Sequence, residues 1–268
     1  MEFLRSQKFA KYAIRFKKFL RHHTGISISW LPDSAKFYDW DGLSSIHNHD
    51  FMIDPDFVKA YQRGLKSGGT ELHIYWRVHV ALWAAETASI LDGDFIECGV
   101  NAGIISSAIM EYLDWNSLKK NFYLFDTFSG IDPRFVTEEE KKQGKLEYNK
   151  KIMESGGYAT DVEIVRRNFS QWNNVRIVQG AVPETLNQVS IEKIAFVHLD
   201  MNCATPEYEA IKHFWPRMVP GALLLLDDYA YFGYESQKKA MDQFAAEANI
   251  PILSVPTGQG LVIKPPAG

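Results

Sequence analysis

The chain is poor in the residues and runs that mark several protein classes. It has only two cysteines in 268 residues, Cys98 and Cys203. Two cysteines cannot staple a disulfide scaffold, so reduced, packed thiols in a cytoplasmic protein are expected. No apolar run reaches the roughly 18 residues that a bilayer span needs. The N-terminus lacks the uninterrupted apolar stretch of a secretory signal. Low-complexity linkers and internal repeats are also missing. The net charge is only -4, too mild and of the wrong sign for bulk nucleic-acid binding. What remains is a chain with 46% hydrophobic residues, enough for a buried core in one domain with an appendage.

Two acidic clusters end apolar runs. Ile194 to Leu199 leads into Asp200, Met201 and Asn202, and Ala222 to Leu226 leads into Asp227 and Asp228. Short apolar runs of this kind predict buried parallel strands. If those strands are neighbours, three carboxylates and one amide oxygen converge on a crevice at the strand ends. Hard oxygen ligands suit Mg²⁺ or a similar divalent cation. The plainer alternative is that the acids merely begin turns.

Asp94 to Gly103 predicts a strand, a tight turn and a helix start, with Glu97, Gly99 and Gly103 in an E-x-G-x-x-x-G pattern. Gly99 allows a sharp turn and close approach to a ligand. Gly103 allows the next helix, Ile104 to about Leu113, to pack on the strand. A dinucleotide fingerprint would need glycine where Asn101 stands, which argues against a pyrophosphate seat and against a nicotinamide-dependent oxidoreductase. The strand Asn121 to Phe125 ends at Asp126, placed to accept hydrogen bonds from ribose hydroxyls or simply to cap a turn. Val175 to Gln179 ends at Gly180, where a planar base could lie against the backbone.

Taken in order, the segments 95–103, 124–130, 175–180, 198–202 and 219–229 resemble class I S-adenosylmethionine-dependent methyltransferases. The macrocin O-methyltransferase family, which methylates sugar hydroxyls of natural products, is the nearest resemblance, over about residues 75–265. It implies a Rossmann-like α/β fold, with a seven-stranded, mostly parallel sheet and a C-terminal antiparallel hairpin. The domain would span 71–268, with 1–70 as a helical and irregular appendage. The cofactor would be held by Glu97, Gly99, Val100, Gly103, Asp126, Thr127, Gly180 and Ala181, and Mg²⁺ by Asp200, Asp227 and Asp228. Asp200 is the candidate general base, with His198, His213 or an insertion residue as substitutes. His198 is expected to point away from Asp200. The family commonly has Asp-x-Asp where this chain has Asp200, Met201 and Asn202, which puts metal affinity or the acceptor contact in question. The resemblance also implies a hydroxylated acceptor, a sugar or glycoside, and a homo-oligomer. A catechol-like phenol acceptor, read by Tyr229, Tyr231, Phe232 and Tyr234, stays open, as does a noncatalytic binding protein on the same fold.

Other segments give weaker expectations. Phe3 to His23 is strongly basic, with Phe9, Ala13, Phe16 and Leu20 at helical spacing. It could lie on an anionic membrane, but packing on the domain or a second subunit is the preferred reading. Pro32 with Asp33, Asp41 with Gly42, and Gly68 with Gly69 signal turns. His47, His49 and Asp50 are read as a loop rather than a metal site. Glu71 to Leu91 predicts a helix with Tyr75, Trp76, Val80, Trp83 and Ala84 on its apolar face, and Arg77 and His79 toward the site. The long insertion 132–170 is expected to cover the acceptor, hinging at Gly156 and Gly157, with its Glu138–Lys142 run facing solvent. Glu235 to Asn249 predicts a helix, and 252–255 with 261–264 a hairpin.

Overall fold

A computed structural model describes residue 12, residues 15–25 and residues 36–266. Phe9, Ala13 and the turn at Pro32 lie outside the described residues. The chain divides into two compact units, residues 1–39 with 44–48, and residues 40–43 with 49–268. In the smaller unit, residues 15–24 are helical. None of the helices among the described residues is long and apolar enough to cross a membrane.

The larger unit is built on seven strands: β1 (Asp94–Cys98), β2 (Phe122–Asp126), β3 (Val175–Gln179), β4 (Ile194–Leu199), β5 (Met218–Leu226), β6 (Leu253–Ser254) and β7 (Gly260–Ile263). Their order is β3-β2-β1-β4-β5-β7-β6. The first five are parallel, and β7 runs antiparallel to both β5 and β6. β1 lies between β2 and β4, so the chain direction reverses there and opens a crevice beyond the strand ends.

Both faces of the sheet are covered, which is why its strands read as continuous apolar runs. Phe95, Phe122, Leu124, Phe196, Leu223 and Leu225 pack on one face with the helices α1 (Pro55–Gly68), α2 (Tyr75–Ser89) and α3 (Ile104–Tyr112). Ile96, Phe125, Val197, Leu199, Leu224 and Leu226 pack on the other with α7 (Ala204–Phe214) and α8 (Glu235–Ala248). The insertion holds α4 (Glu138–Lys142), α5 (Lys145–Glu154) and α6 (Val162–Asn168).

Three expectations are corrected here. α2 begins at Tyr75 rather than Glu71, because His73 takes a left-handed φ of 54° that a helix cannot continue through. Its buried face is Val78, Ala81, Leu82, Ala84, Ala85 and Ala88, with Tyr75 and Val80 packed against the same core, while Trp83 is exposed: small side chains let the helix lie flush on the sheet. The Glu138–Lys142 run is not wholly solvated, since Glu140 is buried. Its carboxylate accepts from the Thr137 backbone N–H at 2.9 Å and, 2.9 Å away, from the backbone N–H of Ala204 that opens α7. One glutamate thus caps its own helix and a helix distant in sequence.

Candidate active site

Strand register brings the acids together. Leu199 pairs with Leu226, so the residues that follow each strand, Asp200 and Asp227, emerge side by side. Carboxylate oxygens of Asp200, Asp227 and Asp228 lie within 4.8 Å of one another, the sole such His, Cys and carboxylate group of three among the described residues. His47, His49 and Asp50 do not form one.

Each acid has a different environment. Asp227 is tightly engaged: Arg77 donates to Oδ2 at 2.5 Å, and Gln259 to Oδ1 at 2.9 Å. Burial alone would raise its pKa, but the charges of Arg77 and His198 and the Gln259 bond hold it below the usual carboxylate range. Asp228 is buried, and its Oδ2 has no hydrogen-bond partner. Burial, then the charge of Asp227, pushes its pKa up to about 7. Burial and both neighbouring carboxylates raise Asp200 well above the ordinary value. A buried carboxylate oxygen without a donor, beside two more carboxylates, is what a hard divalent cation would satisfy. The residues present therefore fit the cation.

Asn202 joins this group through its amide. It donates to Asp200 Oδ1 at 3.3 Å and accepts from the Tyr234 hydroxyl at 2.8 Å. An aspartate could accept from Tyr234 but could not donate to Asp200. The Tyr234 ring also carries the Lys145 ammonium, 4.1 Å from its centroid.

His198 does not point away from Asp200. Positions 198 and 200 are two apart on an extended chain and so share a face. The imidazole is buried between Glu97 Oε1, 2.9 Å from Nδ1, and Asp227 Oδ1, 3.6 Å from Nε2. Burial opposes its charged form, but the two carboxylates outweigh that and lift its pKa to about 10. Glu97 thus meets His198 through Oε1, while its buried Oε2 has no hydrogen-bond partner. His213, on the last turn of α7, does not line the cleft.

Next to the acids is an open cleft. Gly99, Asp126, Thr127, Gly180 and Ala181 line it, together with Asp200 and Asn202. Val100 and Gly103 are outside that lining. Asp126 organises the loop above β1: Oδ2 accepts from the Val100 and Asn101 backbone N–H groups at 2.7 and 2.8 Å, and Oδ1 from Phe128 at 2.7 Å. The Thr127 hydroxyl stands 3.5 Å from Oδ1 as a fourth, longer contact, so this carboxylate shapes the loop around it.

The glycines serve packing as well as access. At Gly99 (φ 90°) a Cβ would fall 1.9 Å from the Asp200 carbonyl oxygen. At Gly103 (φ 90°) it would strike the Phe169 ring at 2.4 Å, so this glycine admits a ring rather than seating α3 on the strand. Asn101 (φ 51°) stands where a dinucleotide fingerprint has glycine, and its side chain does other work. It donates to Gly157 O at 3.0 Å and accepts from Ala159 N–H at 2.7 Å, tying the glycine loop to the insertion. Tyr158 and Ala159 from the insertion line the cleft.

Sequence reasoning did not identify Asp41 or Gln259. Asp41, in a turn with φ 52°, accepts from Arg77 Nε at 2.8 Å and from the Tyr231 hydroxyl at 2.9 Å. Gln259 sits in the Thr257 to Gly260 turn that had been read only as a hairpin loop. The Asp-Gly pair at 41–42 and the buried polar turn were the available signals. Of the four aromatic residues after Asp228, Tyr229 is buried with its hydroxyl on Asp242, Tyr231 and Tyr234 serve the acids, and Phe232 is exposed.

The profile of the family described as macrocin-O-methyltransferase (TylF) matches residues 78–255. Mycinamicin III 3''-O-methyltransferase of Micromonospora griseorubida is 24% identical over 147 residues, 51% of this chain and 55% of that protein. The 8-demethyl-8-(2,3-dimethoxy-alpha-L-rhamnosyl)-tetracenomycin-C 4'-O-methyltransferase of Streptomyces olivaceus is 25% identical over 143 residues, 52% of this chain and 53% of that protein. The chain thus spans about half the length of these curated relatives. Among solved structures, the O-methyltransferase NovP superposes with a TM-score of 0.64 at 18% identity, over 81% of this chain and 99% of that one, a likeness of fold.

Proposed function

The chain belongs to the macrocin O-methyltransferase family, and from that premise we propose that it is an S-adenosylmethionine-dependent, divalent-metal-assisted O-methyltransferase acting on a sugar hydroxyl of a glycosylated natural product. The observation that carries this reading is the convergence of Asp200, Asp227 and Asp228 at the edge of the cleft that Asp126 and Gly180 line. Two similar proteins bear names of O-methyltransferases, and the second name specifies a rhamnosyl group. Those names support a sugar acceptor over a phenol.

In this reading S-adenosylmethionine, when bound along Gly99, Asp126, Thr127, Gly180 and Ala181, supplies a methyl group on a positively charged sulfonium. A divalent cation held by Asp200, Asp227 and Asp228 supplies Lewis acidity that lowers the pKa of an acceptor hydroxyl. The residues of the chain do the rest. Asp200 takes the hydroxyl proton as general base. Asn202 fixes the orientation of Asp200 by donating to its Oδ1. Arg77, Gln259 and His198 fix Asp227, so the carboxylates are positioned before the acceptor arrives. The rings of Tyr158 and Tyr234, each largely buried near Asp200 and Asp228, exclude water from the reacting oxygen and offer faces to a sugar. We place the reaction in the cytoplasm, supported by the two buried, unpaired thiols of Cys98 and Cys203.

The test is methyl transfer from labelled S-adenosylmethionine to a panel of rhamnosylated and other glycosides. Wild type should label at least one glycoside. Asp200→Asn should lower kcat by about 10²–10⁴-fold, the range for a lost general base, while retaining S-adenosylhomocysteine affinity. Near-normal turnover in Asp200→Asn would remove both the base and the metal assignment.

A further inference from the structure

The smaller unit presents a surface that methyl transfer does not use. Seven of the chain's 29 lysines and arginines, but only one of its 33 acids (Glu2), fall in the first 32 residues. The described part of this region, residues 15–24, is helical, as is residue 12. At 3.6 residues per turn, Tyr12, Phe16, Phe19, Leu20 and His23 fall within an arc of about 100°. Arg15, Lys17, Lys18 and Arg21 all fall outside it, and Arg15 and Lys17 flank it on either side. The aromatic face is not buried: Tyr12 is 70% exposed, Phe16 59% and Phe19 58%. The Phe19 ring meets His23 one turn on, at 4.4 Å between centroids, which leaves the pair on the same surface.

We propose that this helix is a membrane-surface anchor that lies in the headgroup region of an anionic bilayer. Aromatic side chains on one face with basic ones on the other match such an interface on both counts. The chemistry argues against two other occupants. Nucleic acid would use the cations but leave the aromatic stripe without a role. A second copy packed along the same stripe would set Arg15 and Lys17 against their like, with no acid between Glu2 and Asp33 to relieve the repulsion. An amphipathic helix lying in the interface gives reversible attachment.

The experiment uses the full chain and measures co-sedimentation with phosphatidylcholine vesicles, with or without about 30% phosphatidylglycerol. Binding to the anionic vesicles should exceed binding to the neutral ones by about tenfold or more, and should weaken in high salt. Phe16→Ser with Phe19→Ser should abolish most of it, and Lys17→Glu with Lys18→Glu should do the same. All variants should keep wild-type S-adenosylhomocysteine affinity, which reports an intact larger unit. Three results would overturn the proposal. One is equal binding to both vesicle types. Another is anionic binding unaffected by Phe16→Ser with Phe19→Ser, as expected of a purely electrostatic, nucleic-acid-like contact. The third is a concentration-dependent dimer that those two substitutions dissolve while vesicle binding stays at the neutral level.

Discussion

Three adjacent carboxylates in a low-dielectric crevice cannot all ionise at the same cost, and the chain assigns them different states through different neighbours. Asp227 has Arg77, Gln259 and His198, and Asp228 has none of these as a hydrogen-bond donor to Oδ2. This makes stability pH-dependent with a definite sign. The folded pKa of Asp228, pushed up to about 7, exceeds the unfolded value of about 3.9. The folded state therefore binds the extra proton between those values. The stability that comes with it is fully present below about pH 4 and is lost as pH rises through about 7. Asp227, shifted the opposite way, acts below that window. For the metal-free chain, Asp228→Asn should remove a component of Tm that falls between about pH 4 and 7. In wild type, saturating Mg²⁺ should hold Asp228 ionised and flatten the same component. Thermal denaturation across that range, with and without Mg²⁺, checks both. An identical pH slope in wild type and variant would refute the assignment.

At the scale of elements, the insertion and the glycine loop behave as one covered wall because Asn101 joins them. Its left-handed backbone is tolerable for asparagine and easy for glycine. Asn101→Gly therefore removes the two side-chain bonds without straining the turn. The expected outcome is faster tryptic cleavage within Lys141 to Lys151 and about tenfold weaker S-adenosylhomocysteine binding, as two lost hydrogen bonds of about 1 kcal/mol each would allow. Unchanged cleavage in the variant would mean that Asn101 does not hold the insertion down. The parallel strands were legible in the sequence as short apolar runs, each leading to a distinctive residue (Gly99, Asp126, Gly180, Asp200 or Asp227), whereas their order comes from the structure. The latch was not legible. Asn101 announces a missing glycine, but its partners Gly157 and Ala159 lie more than 50 residues away. Glu140 failed for a related reason: a glutamate within a charged run looks solvated until its capping partner, the Ala204 backbone, is known. The face of α2 was legible at Tyr75, Val80 and Ala84 but not at Trp83, whose size suggests burial although the sheet accepts alanines.

On the scale of the whole molecule, the architecture explains why residues scattered from Asp41 to Gln259 meet at one place. The strand order puts β1 between β2 and β4, so the ends of β1, β2, β4 and β5 open toward the same crevice. The antiparallel β7 then carries its turn back to Asp227, which is how Gln259 reaches it. The acids and the cofactor loop were visible as strand-end residues. Arg77 was expected toward the site, whereas Asp41 and Gln259 come from two turns whose approach to Arg77 and Asp227 depends on tertiary packing, and no local pattern encodes that.

The central claim is that this crevice binds S-adenosylmethionine beside a divalent-cation site. Calorimetric titration with S-adenosylhomocysteine, with and without Mg²⁺, on wild type and Asp126→Ala tests it most directly. The account predicts one ligand per chain in wild type, and binding weakened by at least about tenfold in the variant, which loses acceptors for three backbone N–H groups and for the ligand. It also predicts a separate Mg²⁺ isotherm that Asp228→Asn abolishes. No S-adenosylhomocysteine binding to wild type would contradict the methyltransferase reading itself.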